Sequence, residues 1–523
     1  MTEPAANPVD EITAGYTFDE PSIELGVLVE GGEPLPGSKI RIPLSMLNRH
    51  GLVAGATGTG TTKTLQLMAE QISAAGVPVF AADIKGDLSG LASPGVANEK
   101  LSNRTRKIGQ DWAGLACPAE FYALGGQGVG VPLRATMSGF GPVLLSKVLG
   151  LNDTQESSLG LVFHYADQAG LPLLDLADLR AVLQHLTSPE GKAELKSIGG
   201  LSSTTVGVIL RELVGLSSQG ADEFFGEPEF DTRDLLRVAP DGRGIISLLE
   251  LPNLVDRPAV FSTFLMWLLA DLFHDLPEVG DIDKPKLIFF FDEAHLLFAD
   301  ASDAFLDAIA QTVRLIRSKG VGVFFVTQTP KDVPDEVLAQ LGSRVQHQLR
   351  AHTPNDAKAL KLTVNTFPTS HYELAETLQS LGIGEAIVTV MDPDGAPTPV
   401  AWTRMRAPQS LMAPTPAHQL AAGVQGSVLM GKYGTRLDRD SAREQLARKL
   451  EDGAARDRAE AEAEAARKEA ERPPAAAPRT RTTRPTEDKN IVEEVVGSSA
   501  FRQFARSAGR EIVRSLFGTA RRR

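Results

Sequence analysis

The sequence predicts an α/β fold with a buried, mainly parallel central sheet, on three observations. Continuous apolar runs of strand length recur at Gly51–Ala54, Val77–Ile84, Gly244–Leu249, Lys286–Phe291 and Val321–Thr327. Segments of helical spacing separate them, at Thr62–Ala75, Pro258–Phe273 and Ser302–Ser318. Glycines, threonines and paired acids gather where those strands stop. A strand that is apolar on both faces belongs inside a sheet covered by helices on each side; a strand wetted on one face alternates instead.

Residues 1–45 are Gly- and Pro-rich, with strand signals at Ile23–Val29 and Lys39–Ile42, and read as a lead-in hairpin. The α/β pattern occupies 46–410. Helical segments with few strand signals fill 141–216, a helical insertion. Late strands at Gly384–Val390 and Thr398–Arg404 flank the turn Asp392-Pro393-Asp394-Gly395. A connector, 411–437, leads to a charged helix at 438–472, rich in Ala, Glu and Arg. Residues 473–487 form a Pro-rich linker, and 488–523 a basic amphipathic segment. From Phe501 onward that segment carries seven arginines against one acid, Glu511.

Composition narrows the function classes. The chain has 523 residues, room for two to four domains, and is 42% hydrophobic and 23% charged, ordinary globular values. One cysteine, Cys117, rules out an internal disulfide and fits a reducing compartment. The N-terminus lacks the basic start and apolar run of a secretory signal, and Phe261–Phe273 is too short to span a bilayer, so the expectation is a soluble, cytoplasmic protein. The net charge of −13 argues against a whole-surface nucleic-acid binder, although a ring can carry a basic lining inside an acidic exterior.

The strand Gly51–Ala54 runs into Gly55-Ala56-Thr57-Gly58-Thr59-Gly60-Thr61-Thr62 and then a helix. Gly55 and Gly60 have the spacing of a phosphate-binding loop, G-x-x-x-x-G-K-[ST], and Thr62 takes its hydroxyl position, where it can coordinate Mg²⁺. Glycines let backbone N–H groups converge on one phosphate, and the helix N-terminus adds its positive end. The lysine position holds Thr61. Lys63 cannot replace it by a change of register, and two residues turn a helix by about 200°, so Lys63 is expected to point away. The loop keeps its cradle and lacks the cation that grips the β/γ oxygens, so weakened binding and severely reduced hydrolysis follow.

The second motif is the strand Lys286–Phe291 ending in Asp292-Glu293. Asp292 is expected to hold Mg²⁺ and Glu293 to act as general base on the attacking water; the alternative is a helix cap. Gln328, after the strand Val321–Thr327, fits a polar sensor of the γ-phosphate, or a strand-end turn residue. Arg314, Arg317 and Arg344 are candidates for an arginine finger reaching a neighbouring subunit, against plain surface ion pairing. Asp83-Ile84-Lys85-Gly86-Asp87 can face the same site or cap the strand end. Cys117 and the nine histidines show no metal-ligand spacing.

Together, Leu47–Gly60, Ala82–Gly90, Leu151–Glu156, the strand through Phe298 and Phe325–Pro330 resemble bacterial HerA-like proteins of the YjgR type, within the HerA/FtsK superfamily of DNA motor ATPases. The resemblance covers about 23–410 and recurs at Ser507–Phe517. It implies a RecA-like ASCE P-loop NTPase core, ATP with Mg²⁺, and a homo-oligomeric ring, a hexamer in the pattern of the superfamily, with nucleotide at subunit interfaces and double-stranded DNA as substrate. Two departures stand out: Thr61 replaces the lysine, and the N-terminal region is short for the β-barrel that precedes the HerA core. The competing expectation is a nucleotide-dependent scaffold or sensor that binds a protein partner or a membrane surface through its basic tail. The acidic charge and the tail favour it, and the intact Glu293 favours the motor.

Overall fold

The computed structural model describes residues 7–195, 199–251, 258–280, 282–298 and 303–470. The chain divides into two compact units, 1–452 and 453–523; the described part of the second, 453–470, is helical. The linker 473–487 and the basic segment 488–523 lie outside the described residues.

The first unit holds β1 (Ser22–Glu30), β2 (Glu33–Pro43), β3 (Gly51–Ala54), β4 (Val79–Asp83), β5 (Ala119–Leu124) and β6 (Val131–Leu133). It continues with β7 (Ile246–Glu250), β8 (Leu287–Phe291), β9 (Val321–Thr327), β10 (Ser343–Gln346), β11 (Glu385–Thr389) and β12 (Ala401–Met405). They make one twelve-stranded sheet in the order β2-β1-β12-β11-β10-β3-β9-β8-β4-β7-β5-β6. From β10 to β6 each neighbouring pair is parallel. β11, β12, β1 and β2 extend it antiparallel. The N-terminal hairpin is therefore one edge of the main sheet, joined through β12.

The expected double-faced burial is present. Along β8, Leu287, Phe289 and Phe291 enter one core and Ile288 and Phe290 the other. The first core is shared with the helical stretch 142–218 and with helices Pro258–Asp275 and Asp303–Ile316; the second takes helix Thr61–Ala74 through Leu65, Met68 and Ile72. Aromatic stacking ties adjacent strands, with ring centroids 5.0 Å apart for Phe80–Phe289 and 5.4 Å for Phe290–Phe324. Each such buried ring contributes about 1.5–3 kcal/mol, enough for the core to fix strand positions without help from the loops.

The stretch expected as a helical insertion carries, among the described residues, the helices Pro142–Val148, Asp153–Gln168, Leu176–Thr187, Pro189–Leu195 and Ser203–Ser218. Asn152 and Gln155 make a capping box at the start of the second, each side chain accepting from the other's backbone N–H at 3.0 Å. Leu151–Glu156, one of the segments that carries the resemblance, thus starts a helix. Among the described residues no helix is long and apolar enough to cross a membrane.

Strand order positions the site. β3 and β4 are consecutive in sequence, yet β9 and β8 lie between them. The carboxyl ends of β3, β9, β8 and β4 thus line one edge, where open α/β sheets bind ligands.

Candidate active site

At the end of β3 the chain turns through the glycine-rich loop, whose root is pinned to its neighbours. Gly55 N–H donates to the Thr327 carbonyl at 3.1 Å and Ala56 N–H to the Gln348 carbonyl at 2.9 Å. Gly55 is required by close approach: a Cβ there would lie 2.4 Å from that of His347. Gly60 adopts φ +123°, open to glycine and strained for other residues, and no side chain caps the helix that follows. The positive end of that helix faces the cavity.

His347 buttresses the loop from below. Its Nδ1 lies 2.8 Å from the Glu385 carbonyl and its Nε2 2.8 Å from Thr64 Oγ. A carbonyl only accepts, so Nδ1 carries the proton and Nε2 accepts from the threonine. Burial pushes the imidazole down to about 4, which keeps it neutral. Gly384 N–H also donates to the Thr59 carbonyl at 2.8 Å, tying the start of β11 to the loop.

The facing wall is acidic. Asp292 follows β8 and is buried; its Oδ1 accepts from Glu293 N–H at 2.9 Å, and its Oδ2 has no hydrogen-bond partner among the described residues. Burial, then the neighbouring Glu293 carboxylate, raises Asp292 to about 7. Glu293 has φ +50°, a left-handed conformation costly for a non-glycine residue. Its side chain pairs with Lys85, and His295 Nδ1 lies 3.2 Å away. Asp83 is the cap that the sequence left as one alternative, accepting from the N–H groups of Gly86 (2.7 Å), Asp87 (3.1 Å) and Leu88 (2.7 Å). Lys85 and Asp87 realise the other alternative and face the site.

One cavity of about 390 Å³ collects these groups. Gly55, Thr57, Gly58, Gly60, Thr61, Thr62, Asp292, Glu293 and Gln328 all line it. Ala56 lines an adjoining cavity of about 270 Å³ with Lys331 and Arg350, and Thr59 is buried within the loop. Arg314, Arg317 and Arg344 do not line the cavity: Arg314 is exposed on its helix, Arg317 lies half-buried in the turn after it, and Arg344 donates to the Thr366 carbonyl at 3.3 Å from β10. The expectation for Lys63 is corrected. It lines the cavity, and its Nζ donates along its own helix to Gln66 Oε1 at 3.2 Å.

The profile of the helicase HerA-like C-terminal family matches residues 30–523. The chain belongs to that family. Among curated proteins, the probable helicase MJECL08 of Methanocaldococcus jannaschii is 31% identical over 153 residues, which is 27% of this HerA-like chain and 28% of that protein. The chain thus matches little more than a quarter of that relative's length. Among solved structures, the bacterial conjugative coupling protein TrwB, in its ΔN70 form, is 15% identical, with 79% of this chain and 94% of that one covered at a TM-score of 0.50. TrwB in complex with ADP and Mg²⁺ is 15% identical, with 75% and 97% covered at a TM-score of 0.48. At such identity the first of these two likenesses speaks to the fold alone, a RecA-like α/β core, and membership of the HerA-like family makes the chain a P-loop ATPase by class.

Sequence reasoning missed two residues and one pairing at this HerA-like site. His347 sits at the end of a four-residue strand with polar members, which gave no strand signal. Ile383 lines the cavity although 75% exposed, and only its place between Gly382 and Gly384 hinted at a turn. The partner of Lys85 was hidden by sequence distance.

Proposed function

We propose that the chain binds Mg²⁺-ATP in the cavity between the loop and the Asp292–Glu293 wall, and that it is a helicase-like motor ATPase acting on double-stranded DNA as a homo-oligomeric ring. One observation carries the chemistry: an anion cradle, backbone N–H groups at an uncapped helix N-terminus, opens onto a buried carboxylate pair across a cavity of about 390 Å³. The fit for Mg²⁺ rests on Asp292 Oδ2, a buried carboxylate oxygen without a partner among the described residues, and on Thr62, a hydroxyl-bearing residue that lines the same cavity. Those two residues would hold the ion, which when bound neutralises charge on phosphate oxygens.

The chain's own residues divide the remaining work. Backbone N–H groups of Gly55–Thr62 hold the phosphates. Glu293 orients the attacking water and accepts its proton, and Gln328 donates to the γ-phosphate. Thr61 brings no charge to this array, so hydrolysis is strongly reduced. Arg314, Arg317 and Arg344, away from their own subunit's cavity, are the candidates for a finger offered to the next subunit in a six-membered ring. On this reading 46–410 is the ATPase core with its insertion at 141–216. Residues 1–45 serve as its sheet edge, and 411–437, 438–472, 473–487 and 488–523 are appendages.

Duplex-stimulated ATP hydrolysis by the Thr61→Lys protein tests the motor. Stimulation by double-stranded DNA is the expected result; hydrolysis indifferent to DNA overturns the motor reading. The net charge of −13 and the Thr61 substitution favour a second reading, a nucleotide-dependent scaffold or sensor that docks on a protein or membrane surface through the basic C-terminal segment.

A further inference from the structure

With Thr61 in the lysine slot, the loop presents backbone dipoles and no side-chain cation to the cavity. Two lysines line the cavity from other places, Lys63 and Lys85, and they are not equivalent. Lys63 donates along its own helix to Gln66, and burial pushes its ammonium below the usual lysine range, against the pull of Asp87 and Asp83. Lys85 projects from the turn after β4, is about half exposed, and places its ammonium on Glu293. Burial acts downward on it too, yet the Glu293 contact prevails and holds it above the usual range.

Three carboxylates, Asp87, Asp292 and Glu293, also line this cavity. A polyphosphate entering beside them is repelled unless a cation faces it. Lys85 is the cation in contact with the residue that works beside the terminal phosphate. The backbone that carries it is fixed, because Asp83 holds the N–H groups of Gly86, Asp87 and Leu88. Its four-carbon stem can therefore turn without any movement of the chain.

We propose that Lys85 supplies the γ-phosphate-binding charge that Thr61 takes from the loop, and that its ion pair with Glu293 is the resting state from which ATP draws it. This rests on the Mg²⁺-ATP reading of the cavity. No covalent bond changes; an ammonium leaves one anion for another, and Glu293 is freed to meet water.

The test is calorimetric titration of the full chain with Mg²⁺ and either a non-hydrolysable ATP analogue or ADP. Lys85→Gln is expected to weaken the analogue about 10- to 100-fold, the worth of one charge-assisted hydrogen bond, while ADP changes by less than about threefold. Adding Thr61→Lys restores the analogue's affinity. Glu293→Gln, which releases Lys85, tightens it. Because Lys85→Gln leaves Glu293 unpaired, the double variant Lys85→Gln/Glu293→Gln is measured as well, and it shows the same selective loss. Equal weakening of both nucleotides, no weakening of either, or a loss that falls on Lys63→Gln instead overturns the proposal. A chain that binds neither nucleotide even with Thr61→Lys overturns the Mg²⁺-ATP reading, and the proposal with it.

Discussion

The two walls of the cavity are built on opposite electrostatic principles. The β3 wall is a loop of glycine and threonine, with no charged residue from Gly55 to Thr62, and offers an anion only oriented dipoles. The wall at the ends of β4 and β8 is ionic, with Asp292, Glu293, Asp87 and Lys85. In a complete phosphate-binding loop the cation comes from the first wall and the acids from the second. Here the second wall carries both signs, with Lys85 paired to Glu293, while Lys63, beyond the loop on the first wall, donates along its own helix to Gln66. The loop wall alone suffices to cradle a phosphate, while stabilising the charge of a transition state needs a cation that the acidic wall already uses.

The largest way to break that contrast is to put charge back on the loop. Thr61→Lys is expected to raise the rate of phosphate release about 10²–10³-fold, the scale of one pre-organised electrostatic contact. A parent chain that hydrolyses ATP as fast as the variant would show that the loop needs no lysine. Next in size, Glu293→Gln on the Thr61→Lys background should lower kcat about 10²-fold without weakening nucleotide binding, since a general base contributes on that scale. A variant that stays fully active would move the base elsewhere.

A smaller effect sharpens the ionic wall. Glu250, paired in register with Asp83, is buried, and burial followed by the Asp83 charge raises it to about 8 from 4.5. A carboxyl that binds its proton more tightly when folded favours the native state below pH 4.5, and that contribution is lost as pH rises toward about 8. Glu250→Gln should therefore stabilise the protein at pH 8 by on the order of 2–4 kcal/mol and gain nothing at pH 4.5; melting at the two pH values reads this. An equal shift at both would remove the linkage. The smallest effect belongs under the loop. His347 is held neutral at about 4 against 6.5, so the unfolded chain takes up its proton first, and stability falls as pH drops from 6.5 to about 4. His347→Gln should flatten that slope and cost about 1–2 kcal/mol at neutral pH, from the altered bonds to Thr64 and Glu385.

The sequence made the central strands and the two motifs visible because both depend on local pattern. Phe289, Phe290 and Phe291 in succession suit only a strand buried on both faces, and Gly55 and Gly60 mark the turn by their spacing. β5, β6 and β10 escaped, since Val131-Pro132-Leu133 and Ser343-Arg344-Val345-Gln346 are short and carry proline or polar residues. They become strands because neighbours on the sheet supply their hydrogen bonds. Tertiary pairing hid the same way. Nothing near Lys85 announces Glu293, and nothing near His347 announces Thr64. Lys63 was misplaced by a helical-wheel argument that fixes the direction of a Cβ and says little about where a four-carbon stem ends.

The place of β3 in the sheet also sets a schedule for biosynthesis. Its two partners are β9, residues 321–327, and β10, residues 343–346. The loop root is bonded to Thr327 and Gln348 and rests on His347. At roughly 5–20 residues per second, the nascent chain carries Gly55–Thr62 for about 15–60 s before those partners exist. Pairings so distant in sequence are slow to close, and β3 and β4 are apolar strands waiting without neighbours. The glycine-rich loop, read first in the sequence, is among the last features of the molecule to take shape.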